Sequence, residues 1–254
     1  MTNQTSYILH LGDNALITAQ HNSEWCGRGP ALEPDIALTN LALDLIGQAR
    51  NFYQYAAELL QQEGYSSTTE DSLAYLRDVR EFKNCLLSEQ PNGGDWAVTI
   101  TRQFLFSTYQ YYHFQLLQES TDPRLAGIAE KSLKEVRYHL KWSSEWVIRL
   151  GDGTELSHRK MARALDTLWV YTGELLEPAG YEAAMIQEGA GADLSLIKKD
   201  FLAHTKRVLE EAGLEPPAET GLLTGGKSGL HTEYLGHLLA EMQFLQRAYP
   251  GSNW

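Results

Sequence analysis

Within residues 35–62 the apolar side chains Leu38, Leu41, Leu45, Phe52, Tyr55 and Leu59 recur at alternating steps of three and four, interrupted once by Gln48. That spacing lays them along one face of a long α-helix, and such a face is held in water chiefly by packing against other helices. A second seam, Leu125, Ala129, Ser132, Val136, His139, Ser143, Trp146 and Leu150, follows Asp122-Pro123 and stops at Gly151-Asp152-Gly153. An aspartate N-cap, a first-turn proline and a glycine stop are the signals that frame a helix. Shorter patterns predict helices over 8–19, 73–87, 96–119, 157–178 (capped by Ser157), 193–213 and 230–249. No stretch alternates as a strand does. The expectation is an all-α chain, a long-helix bundle forming a single domain over 1–254, with additional helices on its C-terminal side.

Composition narrows the function. At 254 residues a core needs no disulfide to hold it, and two cysteines, Cys26 and Cys85, exclude a disulfide framework or a multi-cysteine zinc or iron–sulfur site. With 21 Lys and Arg against 33 Asp and Glu the net charge is −12, which disfavours nucleic acid and anionic membranes as partners. No apolar run approaches the roughly 20 residues of a membrane span, and no basic segment followed by an apolar one marks a secretory leader. A cytoplasmic location is expected, without nucleic acid or membrane.

Gly221-Leu222-Leu223-Thr224-Gly225-Gly226-Lys227-Ser228 satisfies G-x-x-x-x-G-K-[ST]. A phosphate-cradling loop needs a buried strand before it, and Glu215-Pro216-Pro217 cannot end one, so a glycine-rich connection into the last helix is the preferred reading. Helical bundles hold two metals with paired Glu-x-x-His motifs and two further carboxylates. Here Glu-x-x-His occurs once, at Glu155 and His158, where a helix begins rather than in mid-bundle. Gly-x-Ser-x-Gly is absent, and neither cysteine has the local signature of a nucleophile.

Six stretches point to a family: Gly12-Asp13-Asn14-Ala15-Leu16, Glu24-Trp25-Cys26-Gly27, 43–52 (Leu43-Asp44-Leu45-Ile46-Gly47-Gln48 onward), Glu89-Gln90-Pro91-Asn92-Gly93, Lys134-Glu135-Val136-Arg137-Tyr138-His139-Leu140 and 229–236. Together they resemble the C subunit of the bacterial phenylacetyl-CoA epoxidase over nearly the whole chain. The resemblance implies a ferritin-like fold and a catalytic partner of the same fold, the A subunit, which carries a di-iron centre. It also implies a reductase and a small accessory subunit, with phenylacetyl-CoA as the substrate whose ring is epoxidised with O₂. This chain would be a non-catalytic structural subunit with no cofactor of its own.

The same resemblance places this chain's residues at the ligand positions of di-iron relatives. Their Asp-Glu-x-x-His is matched here by Asp44-Leu45-Ile46-Gly47-Gln48, so Leu45 stands for glutamate and Gln48 for histidine. Val136 and His139 stand for the second pair, Ala15 for one carboxylate, and the other falls near Phe106. Ala15, Leu45 and Val136 lie on apolar faces, and one imidazole with a neutral amide cannot balance two metal cations. Asp44 is expected to pair with a cation or to join Gln48 and His139. The resemblance further favours substrate contacts from Glu81, Phe82, Lys83 and Asn84 and from Ala183, Ala184 and Met185. Arg77, Arg80 and Lys83 would gather cations for coenzyme A, or else alternate with acids on a solvated helix. Exposed aromatics of the 96–114 helix would suit the partner interface. A second reading stands beside this one: a di-metal oxidase with unorthodox ligands, His139, Asp44, His231 and Glu233, although His231 and Glu233 are two apart and so do not share a helix face.

Overall fold

Thr2, Asp95, Asp122, Thr154 and Asp193 each turn a side-chain oxygen onto a backbone N–H two or three residues ahead, and a helix starts at each. A computed structural model describes residues 1–217 and 223–252. Its helices are α1 (Asn3–Ser23), α2 (Leu32–Gln62), α3 (Glu70–Tyr75), α4 (Trp96–Leu117), α5 (Pro123–Gly151), α6 (Glu155–Trp169), α7 (Thr172–Leu176), α8 (Gly180–Gln187), α9 (Leu194–Glu211), α10 (Glu233–Met242) and α11 (Phe244–Ala248). Among the described residues there is no strand, and no helix is long and apolar enough to cross a membrane. The class is all-α, consistent with a ferritin-like long-helix bundle carrying extra helices on the C-terminal side.

The chain falls into two compact units, Met1–Pro91 with Gly225–Trp254, and Asn92–Thr224. In the first, α1 and α2 pack along their lengths. The loop between them is fixed by Asp35, whose carboxylate accepts from the backbone N–H groups of Gly29 at 2.7 Å and Gly27 at 3.1 Å. Those bonds, the one from Gly29 foremost, hold its pKa below the ordinary aspartate value. Gly12 lets the helices approach closely, because a Cβ there would sit 2.7 Å from the Tyr53 ring. Helix α1 is buried on nearly all sides even though it carries His10, Asp13, Asn14 and Thr18.

In the second unit α4 and α5 pair, and α6 and α9 pack against both. The α5 seam runs as read through Ser143, then continues through Val147 and Gly151, leaving Trp146 and Leu150 half-buried. A straight helix drifts against a seven-residue repeat, so a long seam changes register toward its end. Trp96 meets Trp142 and Trp146 edge-on and those two are tilted against each other, with centroids 5.7 to 6.3 Å apart. None of the α4 aromatics is exposed, so they serve the core rather than a free face. Exposed apolar side chains instead line the outer face of α2, at Leu32, Ile36, Leu43 and Ile46.

Three helix expectations change. The 73–87 stretch is helical only to Tyr75 and in a 3₁₀ turn over Val79–Glu81, because its polar backbone is satisfied by side chains from elsewhere. The 157–178 helix is α6 followed by a short α7, and its N-cap is Thr154, with Ser157 as the capping-box partner three residues on. The last helix starts at Glu233 and breaks at Gln243, whose side chain donates to the carbonyls of Ala74 at 3.1 Å and Arg77 at 3.0 Å.

Candidate functional site

The positions matched to di-iron ligands lie deep in the protein. Ala15, Leu45, Val136 and His139 are fully buried, Gln48 and Phe106 almost so, and Asp44 is half-buried. Ala15 sits on α1 and Leu45 and Gln48 on α2, while Val136 and His139 share a face of α5 one turn apart. Alkyl groups here offer no oxygen to a hard cation, so this donor set does not fit a carboxylate-bridged pair of metals. Among the described residues no group of three or more His, Cys, Asp or Glu side chains is arranged to hold a metal ion. Glu155 and His158 are occupied locally: Glu155 pairs with Arg159, and His158 Nδ1 lies 2.8 Å from the Gly151 carbonyl.

The buried charges of the first unit gather around residues 76–90. Asp13, wholly buried on α1, accepts from Tyr53 Oη at 2.6 Å, from both terminal nitrogens of Arg77, and from the backbone N–H of Lys83 at 2.7 Å. Arg77 Nε donates to the Leu73 carbonyl at 2.6 Å and Nη1 to that of Glu81 at 3.1 Å. Its guanidinium also covers the Phe82 ring at 4.2 Å. Burial pulls the Arg77 pKa down, but the charge and hydrogen bond of Asp13, together with Tyr53 and Glu81, more than offset it and leave the value above that of an ordinary arginine. Burial first, and the Asp13 charge second, hold Tyr53 well above the usual tyrosine value, so it remains a phenol.

A second buried pair lies beside the first. Glu89 accepts from His231 Nδ1 at 2.7 Å, from Thr232 N at 2.6 Å and Oγ1 at 2.8 Å, and from Asn84 Nδ2 at 2.9 Å. His231 Nε2 meets the Phe82 carbonyl at 3.0 Å. Both ring nitrogens therefore face acceptors, an arrangement only the imidazolium satisfies. Burial opposes that charge, but the hydrogen bond to the Glu89 carboxylate, followed by its negative charge, holds the His231 pKa above its ordinary value.

The segment suggested for substrate contact is caught between these clusters. His10 Nδ1 donates to the Lys83 carbonyl at 2.7 Å, and Asn14 Oδ1 accepts from Cys85 N at 2.8 Å. Phe82 and Asn84 are buried, whereas Glu81 is exposed and Lys83 half-buried. Glu81 and Lys83 border an open cleft of about 500 Å³ with Arg80 and Arg77 on one side and Leu9 and Leu60 among its apolar lining. Burial lowers the Lys83 pKa. Of the cations read from sequence, Arg77 is already neutralised by Asp13, which leaves Arg80 and Lys83 as the cleft's basic side chains. Ala183 and Ala184 are half-buried and Met185 is buried on α8, in the other unit.

The G-x-x-x-x-G-K-S pattern is used structurally. Gly221 and Leu222 lie outside the described residues, and Gly226–Ser228 form a 3₁₀ turn. A Cβ at Gly226 would lie 2.3 Å from the Asn84 carbonyl oxygen, and one at Gly229 would lie 2.4 Å from that of Arg80. Lys227 is buried. The glycines press this strap onto the 80–86 backbone.

Sequence reading gave no role to His10, Asp13, Asn14, Tyr53 or Glu89, and weighed His231 only as a metal ligand. The available signal was a run of polar residues, Gly12-Asp13-Asn14, inside an otherwise apolar helix.

Fold and site define a class: an all-α, long-helix protein with apolar side chains at most of the positions where the resemblance puts metal ligands, and with two buried ion pairs, Asp13–Arg77 and Glu89–His231, beside the 81–85 segment. The chain belongs to the family described as phenylacetic acid catabolic protein, whose pattern it matches over residues 1–254. It is 47% identical over 254 residues, covering 100% of both chains, to the C subunit of 1,2-phenylacetyl-CoA epoxidase of Escherichia coli (strain K12).

Proposed function

We propose that this chain is the structural, non-catalytic subunit of a multicomponent di-iron monooxygenase that epoxidises the ring of phenylacetyl-CoA. In this reading the di-iron centre belongs to a catalytic subunit of the same fold, a reductase supplies electrons, and the assembly is completed by a small accessory subunit. The chain itself carries no cofactor. The observation that carries the reading is the side-chain chemistry at Ala15, Leu45 and Val136, three fully buried alkyl positions where a di-iron relative would need carboxylates. Full-length similarity to a named epoxidase subunit supports membership of the complex. The exposed apolar row Leu32, Ile36, Leu43 and Ile46 on α2 suits a helix-to-helix contact with the catalytic subunit.

Coenzyme A brings phosphates, and Lys83 and Arg80 beside an apolar-walled cleft suit one part of it. Ala183, Ala184 and Met185 are the second proposed contact. The test is purification of the assembled complex with metal analysis of each subunit. Iron confined to the partner is the expected result. Stoichiometric iron in this chain, or oxygen-dependent turnover by it alone, would overturn the proposal in favour of the di-metal oxidase. For substrate contact, Lys83→Glu is expected to weaken acyl-CoA binding by the complex, and undiminished binding refutes that role.

A further inference from the structure

We propose that His10, Asp13 and the Glu89–His231 pair, none of which lines the cleft, act with Arg77 at its edge as positioning residues that lock the backbone of 81–85 in one ligand-ready conformation. The inference rests on the reading of 81–84 as a ligand contact and adds what makes that contact specific. Between Phe82 and Pro91 the chain has no α-helix to fix its conformation. Its polar backbone groups are held instead by side chains rooted on α1, in the turn after α3 and in the strap before α10. Arg77 takes the Glu81 carbonyl and His231 the Phe82 carbonyl. Asp13 and His10 take the N–H and carbonyl of Lys83, and Asn14 takes the N–H of Cys85.

Packing closes the remaining freedom. Phe82 lies under the Arg77 guanidinium, and Gly226 and Gly229 bring the strap's backbone against Asn84 and Arg80. A loop anchored this way cannot slide by a residue without stranding a buried charge. Lys83 is then presented to the cleft from a backbone gripped on both sides of its Cα. Pre-ordering of this kind removes the conformational cost that a flexible basic loop would meet on binding a phosphate-bearing ligand. The charges facing His231 are Glu89, in contact, and Asp13 further off on α1, itself matched by Arg77. Loss of the His231 proton leaves one of its two acceptors without a donor, so the lock loosens as pH rises.

The experiment uses the assembled complex with coenzyme A as the probe, measured by calorimetry, together with amide hydrogen exchange. His231→Gln and Arg77→Lys are each expected to weaken coenzyme A binding by about tenfold, the low end of what lost supporting contacts cost at other sites. Both should speed exchange at the Lys83 and Cys85 amides, with the complex still assembled. In the unmutated complex affinity should fall as pH rises from 6 to 9, and His231→Gln should flatten that profile. Because Lys83 also loses charge as pH rises, the deciding series is the protection of the Lys83 and Cys85 amides over the same pH range in the unmutated complex, which needs no variant; protection that does not fall with pH overturns the lock. If Lys83→Glu abolishes binding while His231→Gln and Arg77→Lys leave affinity, exchange and pH profile unchanged, the positioning role is wrong and the contact reading stands. If Lys83→Glu has no effect on binding, the contact reading fails and the ligand-positioning role fails with it. Faster exchange in the variants would then show only that the backbone lock exists.

Discussion

Asp13→Ala tests the central pairing most directly. The substitution takes from Tyr53, Arg77 and the Lys83 N–H their common acceptor, and it leaves a guanidinium whose side chain is 9% exposed with no counter-charge in contact. An exposed ion pair of the same geometry would be worth only about 0–1 kcal/mol. Here the stranded charge dominates, and breaking a buried pair costs about 3–5 kcal/mol. For a chain of this length that corresponds to a fall in Tm of roughly 6–20 °C. Arg77→Met in the same background removes the stranded cation while losing its bonds to the Leu73 and Glu81 carbonyls. The double variant should therefore be less destabilised than the sum of the singles, with a coupling of about 2 kcal/mol. Urea unfolding of the purified chain measures this by far-UV circular dichroism. Tryptophan fluorescence gives a separate view of the second unit, which holds Trp96, Trp142, Trp146 and Trp169 against Trp25 in the described part of the first. A cost below about 1 kcal/mol for Asp13→Ala, or strict additivity in the cycle, refutes the argument that this pair is a buried, mutually dependent unit.

Gly12→Ala places a methyl group 2.7 Å from a Tyr53 ring whose hydroxyl is bonded to Asp13 and Arg77, so the ring cannot swing away. A loss of about 1–3 kcal/mol in urea unfolding is expected, and a neutral result would show that α1 and α2 can separate at that point. Two histidines should give stability slopes of opposite sign. His231 has a raised pKa, so its contribution is complete below the ordinary histidine value and is lost as pH rises through the raised one. His204 is lowered to about 4 by burial and then by Arg207, so its contribution is present above 6.5 and is lost as pH falls toward 4. Difference profiles of His231→Gln and His204→Gln against the unmutated chain check both signs. Glu63 is held at about 2 by hydrogen bonds led by that from Thr5, so the bond's contribution is lost as pH falls from 4.5 through 2. Glu63→Gln should lower stability above pH 4.5 by less than about 1 kcal/mol, since the group is near the surface, and the difference should fade as pH falls toward 2.

The long helices were legible because their signals are local. A three-and-four seam and Asp122-Pro123 need no knowledge of what lies opposite. The 73–87 stretch was misread for the complementary reason. Its apolar spacing looks helical, but its conformation is decided by Asp13 and His10, some seventy residues upstream, and by His231, about 150 residues downstream. No window of sequence contains those bonds. The break at Gln243 has the same origin, an amide drawn inward to two carbonyls of a distant turn. The glycine-rich strap shows the opposite hazard. Its pattern was visible, but the use of its glycines, close backbone approach to Asn84 and Arg80, depends on a neighbour that the pattern does not encode.

Asp13 and Ala15 carry the same lesson on a single helix. Two residues apart, they lie about 200° from one another around α1, so the carboxylate and the methyl group face different surroundings. Had the carboxylate stood at position 15, it would have shared the register assigned to metal ligands. At position 13 it meets Arg77 and Tyr53, which neutralise and bond it fully. The other wholly buried acid of this cluster, Glu89, is likewise matched, by His231. A bundle that gives up inner carboxylates loses both a metal site and the charge repulsion that comes with one. In this cluster each buried acid is answered by a cation, Asp13 by Arg77 and Glu89 by His231, and both matched pairs end on the same stretch of backbone, 81–85. The buried charge of this cluster thus goes into backbone contacts to 81–85, and that arrangement is what the proposed supporting role would require.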